Sequence, residues 1–289
     1  MDVSNGVADL HTHTTASDGT CAVDDRIQQA RNQHLEAIAI SDHDCIAESI
    51  SNRVIQYNNI DLIAGVEVRA DVQATKVELL GYFVDPADKR LRNILRQVRE
   101  YRQDRNRKII QRLHEATAFD RSYEDIRADA DGILGRPHIA NILIEEEIVD
   151  SIGTAFDEYL ANNGDAFVPM ERVPAPEVID VIQGAGGVVS LAHPGRIRAE
   201  SIASIVDELV GAGLDGIEVQ YPYDSAPTEG YADVSVEDAA KLAEEHGLLK
   251  TGGSDCHGPD SGKFRLGEVR VSEAQLNELR ERADRRRPL

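Results

Sequence analysis

A chain of 289 residues and 31.7 kDa with 41% hydrophobic residues is long enough for one sizeable core, and no run approaches the roughly 18 apolar residues of a membrane span. Acidic residues number 52 against 31 basic, a net charge of −21, which excludes a net basic nucleic-acid-binding surface and predicts neither stable DNA binding nor membrane attachment. Three cysteines without a C-x-x-C pair exclude a disulfide scaffold and predict a reducing, cytoplasmic setting; the start, MDVSNGVADL, lacks the basic residues and apolar run of a secretory signal.

In chain order, short apolar runs alternate with helical periods. Residues 7–13 (VADLHTH) read as a strand, 24–33 as a helix, 37–41 (AIAIS) as a buried strand and 46–57 as a helix. Residues 60–68 (IDLIAGVEV) and 76–84 (KVELLGYFV) read as two further strands. The rhythm then breaks: about 86–170 reads as a mostly helical insertion, with helices over 86–118, 123–130, 137–146 and 152–162. The basic face around Arg99 to Arg112 is expected to be a solvated one paired with acidic residues. Alternation returns with a helix over 175–183, a strand over 188–192, a helix over 199–212, a strand over 216–220, a helix over 236–246 and a strand over 248–251. A short strand over 267–271 and a helix over 273–286 end the chain. This is an α/β pattern with a largely parallel sheet. Its seven or eight strands suit a closed (β/α) barrel, TIM-like, better than an open sheet, because no G-x-G-x-x-G loop follows the first strand.

Nine histidines are present. His34, His114 and His246 lie at helix ends in charged surroundings and are read as surface residues. The other six fall at strand ends or in Gly/Pro-rich turns. His11 and His13 share one strand face, because residues i and i+2 project to the same side, and two imidazoles there can grip one cation. Asp9 shares their parity and is a candidate to orient one of the rings. Asp255 and His257 repeat the geometry late in the chain, with Cys256 pointing away. Between them, Asp18, His43 and Glu67 follow or lie within successive strands, His138 starts a helix of the insertion, and His193 follows the VVSLA strand. Strand ends of a parallel barrel converge on one mouth. Nine N and O ligands without a thiolate exceed the three or four of one cation, so two or three divalent ions (Mn, Zn or Fe) are implied.

The motifs DLHTHTTASDG, ISDHD, GVE, GRPH, AHPGR and GGSDCHG, in this order, resemble those of the PHP (polymerase and histidinol phosphatase) superfamily of metal-dependent phosphoesterases. The resemblance runs from Asp9 to Gly258 and implies one domain over 1–289, a distorted seven-stranded (β/α) barrel with a trinuclear metal site. It implies one metal on His11, His13, Glu67 and Asp255, a second sharing Glu67 and adding His138 and His193, and a third on Asp18, His43 and His257. The helical segment between Glu67 and His138 is similar to that of stand-alone nucleotide phosphatases and 5′-to-3′ exoribonucleases of the superfamily.

The expected reaction is hydrolysis of a phosphomonoester of a small phosphorylated substrate, a nucleotide or an oligonucleotide end, by hydroxide bridging two metals and attacking phosphorus in line. Arg136 and Arg196 sit within three residues of His138 and His193 and are expected to bind phosphate oxygens. Asp42 and Asp44 are candidates for the general acid, and Tyr82, Tyr221 and Tyr223 for contacts to a base. Three divalent ions would bring about +6 of formal charge to the mouth, so an acidic protein can still attract phosphate. The alternatives are a metal-dependent amidohydrolase and a non-catalytic binding module; no ligand position is lost, which speaks against the latter. Only six of the basic residues are lysine, and with an acidic, self-repelling surface this points to a halophilic protein.

Overall fold

The structure, a computed structural model, describes residues 6–129, 132–223, 234–259 and 265–286. The chain divides into two compact units, Met1–Arg96 with Arg172–Leu289, and Gln97–Glu171.

The first unit is built on strands β1 (Ala8–Thr12), β2 (Ala37–Ile40), β3 (Val54–Tyr57), β4 (Ile60–Val72), β5 (Thr75–Tyr82), β6 (Val173–Pro174), β7 (Val188–Leu191), β8 (Gly216–Gln220) and β9 (Leu249–Gly252). They pair in the order β1-β2-β4-β5-β7-β8-β9, with β3 and β6 both on β4. Helices α1 (Val23–Asn32), α6 (Ala175–Gly184), α7 (Ile202–Gly211), α8 (Val236–His246) and α9 (Glu273–Asp284) connect or follow them. AIAI of β2 and VVSL of β7 are buried at every position, as continuous apolar runs covered on both faces require.

Three expectations change. The sheet is mixed: β1, β2 and β4 run parallel, as do β7, β8 and β9, but β5 runs antiparallel to both β4 and β7. Val72 pairs with Thr75 across a two-residue turn in which Gln73 and Ala74 have φ of 50° and 60°. That is the double left-handed geometry of the tightest hairpins, adopted without the Asn-Gly or Asp-Gly that announces it. The helix expected over 46–57 is not there; β3 forms an antiparallel hairpin with β4, Tyr57 opposite Ile60, and Asn58 takes φ 57° at the turn. The stretch V-I-Q-Y is β-branched and aromatic, and its pairing overrides the helical spacing of Ile46 and Ile50. The strand expected over 267–271 shrinks to one antiparallel bridge between Ala8 and Val271.

The second unit holds α2 (Lys89–Ala116) beyond its first turns, α3 (Tyr123–Asp129), α4 (Arg136–Glu145) and α5 (Ile152–Ala155), which continues as a π turn over Phe156–Leu160. The expected end of α3 at Ala130 lies outside the described residues. Ile109, Ile110 and Leu113 of α2 pack with Phe119, Ile126, Ile139, Leu143 and Leu160. The basic face of α2 is not simply solvated: Arg102 and Arg105 are buried. Arg105 donates to the side-chain oxygen of Asn106 (Oδ1) at 2.8 Å, and the Asn106 side-chain amide donates to the Leu134 backbone carbonyl at 2.8 Å.

The last helix of the first unit is fastened by Asp215, the residue before β8. Its side chain, 2% exposed, accepts from the Val189 backbone, from Arg282 at 2.7 Å and from both terminal nitrogens of Arg286. Burial raises the Asp215 pKa, but the hydrogen bonds and charge of Arg286 with those of Arg282 outweigh it, and the carboxyl lies below its usual range. A carboxylate whose pKa is lower in the folded chain stabilises above its ordinary pKa and loses that contribution as pH falls through the lowered value. Asp215→Asn is expected to cost about 2–4 kcal/mol in denaturant unfolding at pH 7, and the gap between variant and parent should shrink as pH falls below about 4.

Candidate metal centre

Each side chain of the centre is delivered by a strand of the first unit or the turn after it. His11 lies in β1 and His13 one residue beyond it; Asp18 follows in the next turn. His43 follows β2, His193 lies two residues after β7, and Asp255 and His257 lie just past β9. Glu67 lies in the middle of β4, yet it is level with the others: β2 and β4 run parallel with Ile40 beside Ala64, and three residues further His43 bridges to Glu67. The group therefore gathers where the carboxyl ends of β1, β2, β7 and β9 meet, the usual place for a ligand in a parallel α/β sheet.

Four imidazoles face one carboxylate. Glu67 is fully buried, with Oε2 at 2.8 Å from His43 Nδ1 and 3.5 Å from both His11 Nε2 and His13 Nε2, and Oε1 at 3.0 Å from His193 Nε2. Asp255 Oδ1 lies 3.1 Å from His13 Nε2 and 3.5 Å from His11 Nε2. Apart from these ion-pair approaches, the buried His11 Nε2, His13 Nε2 and Glu67 Oε2 have no hydrogen-bond partner among the described residues. Orphaned atoms of this kind are costly unless something binds them. A tetrahedral cation with bonds of about 2.1 Å has ligand–ligand edges of about 3.4 Å, close to the 3.1–3.5 Å separating the two imidazoles from Glu67 and Asp255. The residues fit a divalent cation. Beside this group, Asp18 lies 3.2 Å from His257 Nε2 and 3.8 Å from His43 Nε2. His13, Asp18, His43 and His257 form a second set of converging N and O atoms, and His11, Glu67 and His193 a third.

The backbone carrying these groups is tied by buried polar residues, several of them not evident from spacing. Asp9 does not orient a histidine ring. It accepts from the backbone N–H groups of His11, Ser254 and Gly267 and from the Ser254 hydroxyl, joining β1 to the turn that bears Asp255 and His257. Gly253 is required at that junction, because a Cβ there would lie 2.3 Å from the His11 nitrogen. Arg26 of α1 is fully buried and donates to the carbonyls of His13 and Cys256 and to the Cys256 sulfur, so Cys256 is a packed neighbour, as expected. Asp42, a candidate acid, accepts from the Thr14 backbone and hydroxyl and from Ser17 Oγ and thereby shapes the turn leading to Asp18. Asp44 accepts from the Arg69 backbone at 3.2 Å. Two residues of the cluster, His193 (φ 25°) and Asp255 (φ 53°), sit in the left-handed region, a strain that side chains other than glycine bear where position matters.

Burial and charge oppose each other through the centre. Burial lowers the His13 pKa, and the neighbouring His257 and His43 reinforce it, to about 3. Burial also acts to lower His43, but Glu67 and Asp18 outweigh it and raise it to about 9; Glu218, Asp255 and Glu67 likewise carry His11 well above its ordinary value against burial. Burial would raise Glu67 and Asp18, yet the imidazoles, His43 foremost, hold both well below the usual carboxylate range.

Residues around the centre that spacing did not single out are Glu78, Glu218 and Arg69. Glu78 of β5 accepts from Arg69 at 2.8 Å and pairs with Lys76 at 2.9 Å, with its other reach toward His193 at 3.8 Å. Glu218 takes His11 Nδ1 at 2.9 Å. Their signal in the sequence was a lone acid inside a buried strand, KVELL and GIEVQ. Tyr221 donates to Asp255 Oδ2 at 2.9 Å, and Arg196 lies over its ring at 5.3 Å with a buried Nε that finds no hydrogen-bond partner among the described residues. Arg136 and His138 belong to the second unit. There Arg136 donates to the Leu160 carbonyl at 2.9 Å beside the Phe156 ring, and His138 Nδ1 accepts the Gly135 N–H at 3.0 Å. His34 and His114 are exposed and His246 lies 3.5 Å from Asp207.

Comparison with known proteins agrees with the motifs. The PHP domain profile matches residues 9–167. The 5′-3′ exoribonuclease Rnm of Salmonella typhimurium is 32% identical over 261 residues, covering 88% of this chain and 86% of that protein. The 3′,5′-nucleoside bisphosphate phosphatase of Chromobacterium violaceum is 29% identical over 271 residues, 90% of each chain. A crystal structure from Bifidobacterium adolescentis, assigned as a metal-dependent phosphoesterase, superposes with a TM-score of 0.77 at 28% identity over 95% of this chain and 96% of its own. With more than half its length inside the profile and relatives matched nearly end to end, the chain belongs to the PHP domain family.

Proposed function

We propose that this chain is a metal-dependent phosphoesterase that hydrolyses phosphomonoesters of nucleotides or of phosphorylated nucleic-acid ends. The observation that carries the reading is the buried carboxylate of Glu67 encircled by four imidazoles, with ligand atoms left unbonded. Two or three divalent ions, Mn, Zn or Fe, would stabilise charge on phosphoryl oxygens and lower the pKa of water. His11, His13, Glu67 and Asp255 would hold one. Asp18, His43 and His257 would hold another. Glu67 and His193 would hold a third, with His138 added on the strength of the GRPH motif. Arg196 is the favoured phosphate-binding residue, because its Nε is buried beside Tyr221 with no hydrogen-bond partner among the described residues. Arg136, engaged with Leu160, is the weaker of the two.

The same reading takes the mixed sheet as the distorted seven-stranded barrel, with about 86–170 as a mostly helical insertion into one domain. The bridge of Thr12 to Cys256 and the hydrogen bond of the His13 N–H to the Cys256 carbonyl, 2.9 Å, support contact between its first and last strands. No described helix is long and apolar enough to cross a membrane. Cys21, Cys45 and Cys256 are free thiols, which supports a reducing, cytoplasmic setting. The acidic, lysine-poor composition supports a halophilic protein.

Phosphate release from nucleoside mono- and bisphosphates and from 5′-phosphorylated oligonucleotides, in high salt with Mn, is expected and should vanish with a chelator. Amide hydrolysis without phosphate release would instead establish an amidohydrolase. His193→Ala and Asp255→Asn should each lower kcat by roughly 10²-fold or more with circular dichroism unchanged; near-normal turnover would remove them from the metal shell. The melting temperature should rise with added molar salt, since screening relieves the −21 net charge.

A further inference from the structure

Strand β8 carries none of the expected ligands, yet its carboxyl end faces three of them. Glu218, fully buried, places Oε1 at 2.9 Å from His11 Nδ1, and its other oxygen, Oε2, accepts the backbone N–H of His193 at 2.8 Å. Three residues on, the Tyr221 hydroxyl donates to Asp255 at 2.9 Å. A carboxylate on one nitrogen of an imidazole makes that nitrogen the donor and turns the lone pair of the other outward. In His11 the other nitrogen is Nε2, the atom 3.5 Å from both Glu67 and Asp255 and without a hydrogen bond. The second oxygen of Glu218 acts on the backbone: His193 holds φ 25°, and its N–H is one of the groups fixing that strained position.

We propose that Glu218 is a positioning residue that sets the tautomer of His11 and the backbone of His193 at once, so that one buried carboxylate aligns ligands of two strands for the cation. This rests on the metal-dependent reading above. Glu218→Gln tests it with little change of shape. The amide oxygen can still accept the His193 N–H, but the amide nitrogen, a donor, then meets His11 Nδ1. His11 must accept there and carry its proton on Nε2, where a cation would bind.

Zinc affinity of the full chain, read by competition with a chelating dye and checked by elemental analysis, is expected to fall 10–100-fold in E218Q. The melting temperature of the metal-free variant should stay within about 5 °C of the parent, as a change in one hydrogen bond allows. Affinity within about twofold of the parent would overturn the role of Glu218 while leaving the metal reading intact; a parent chain that binds no zinc would overturn both. Should E218Q fail to fold, nitrogen-15 spectra of the zinc-loaded parent decide the matter. Protonated Nδ1 and metal-bound Nε2 on His11 support the assignment, and metal on Nδ1 overturns it.

Discussion

The constraint on which the centre depends is the burial of Glu67 among imidazoles. A carboxylate removed from water is costly unless charge or hydrogen bonds replace its hydration. Here His11, His13, His43 and His193 supply the replacement, at 2.8–3.5 Å. His43 and His11 are pulled toward protonation while His13 is pushed strongly away from it. The rings cannot all take the same state, so the group is an electrostatic compromise when it holds only protons. A divalent cation accepts several neutral imidazoles and carboxylates together, and so resolves a conflict that protons can only share out.

Holding that arrangement takes a shell of buried polar residues around the cluster. Asp9, Arg26 and Asp42 each join segments far apart in sequence through backbone groups rather than through the histidine rings. Backbone donors and acceptors fix where a turn runs, and the turns then fix the side chains. Their burial makes sense only as part of fully bonded networks, because a half-bonded buried charge would destabilise the fold more than an apolar residue in its place.

The sequence revealed the centre more readily than the sheet. His11, His13, Asp18, His43, Glu67, His193, Asp255 and His257 were legible because each stands directly in or after an apolar run, and strand ends converge. The direction of β5 was not, because it hangs on a Gln-Ala turn whose left-handed backbone no residue type announces. Nor was β3, whose four residues pair with β4 within a stretch that also fits a helical period. Glu218 and Glu78 were hidden for a third reason: a single acid within a strand says that something buried needs it, but not which histidine of the cluster it meets, and His11 lies 207 positions from Glu218. Asp9 shows the opposite error, where parity suggested a ring and the carboxylate went to backbone amides.

The junction between β1 and the residues after β9 has a kinetic side. Ala8 bridges to Val271, Thr12 to Cys256, and Asp9 to Ser254 and Gly267, so the first strand is secured by the final stretch of the polypeptide. Contacts of such sequence separation form slowly, since loop-closure entropy must be met before they reward the chain. During synthesis His11 and His13 therefore lack Asp255 and His257 until those residues have left the ribosome. A cation that took both His13 and Asp255 as ligands would therefore bind after this closure rather than seed the folding.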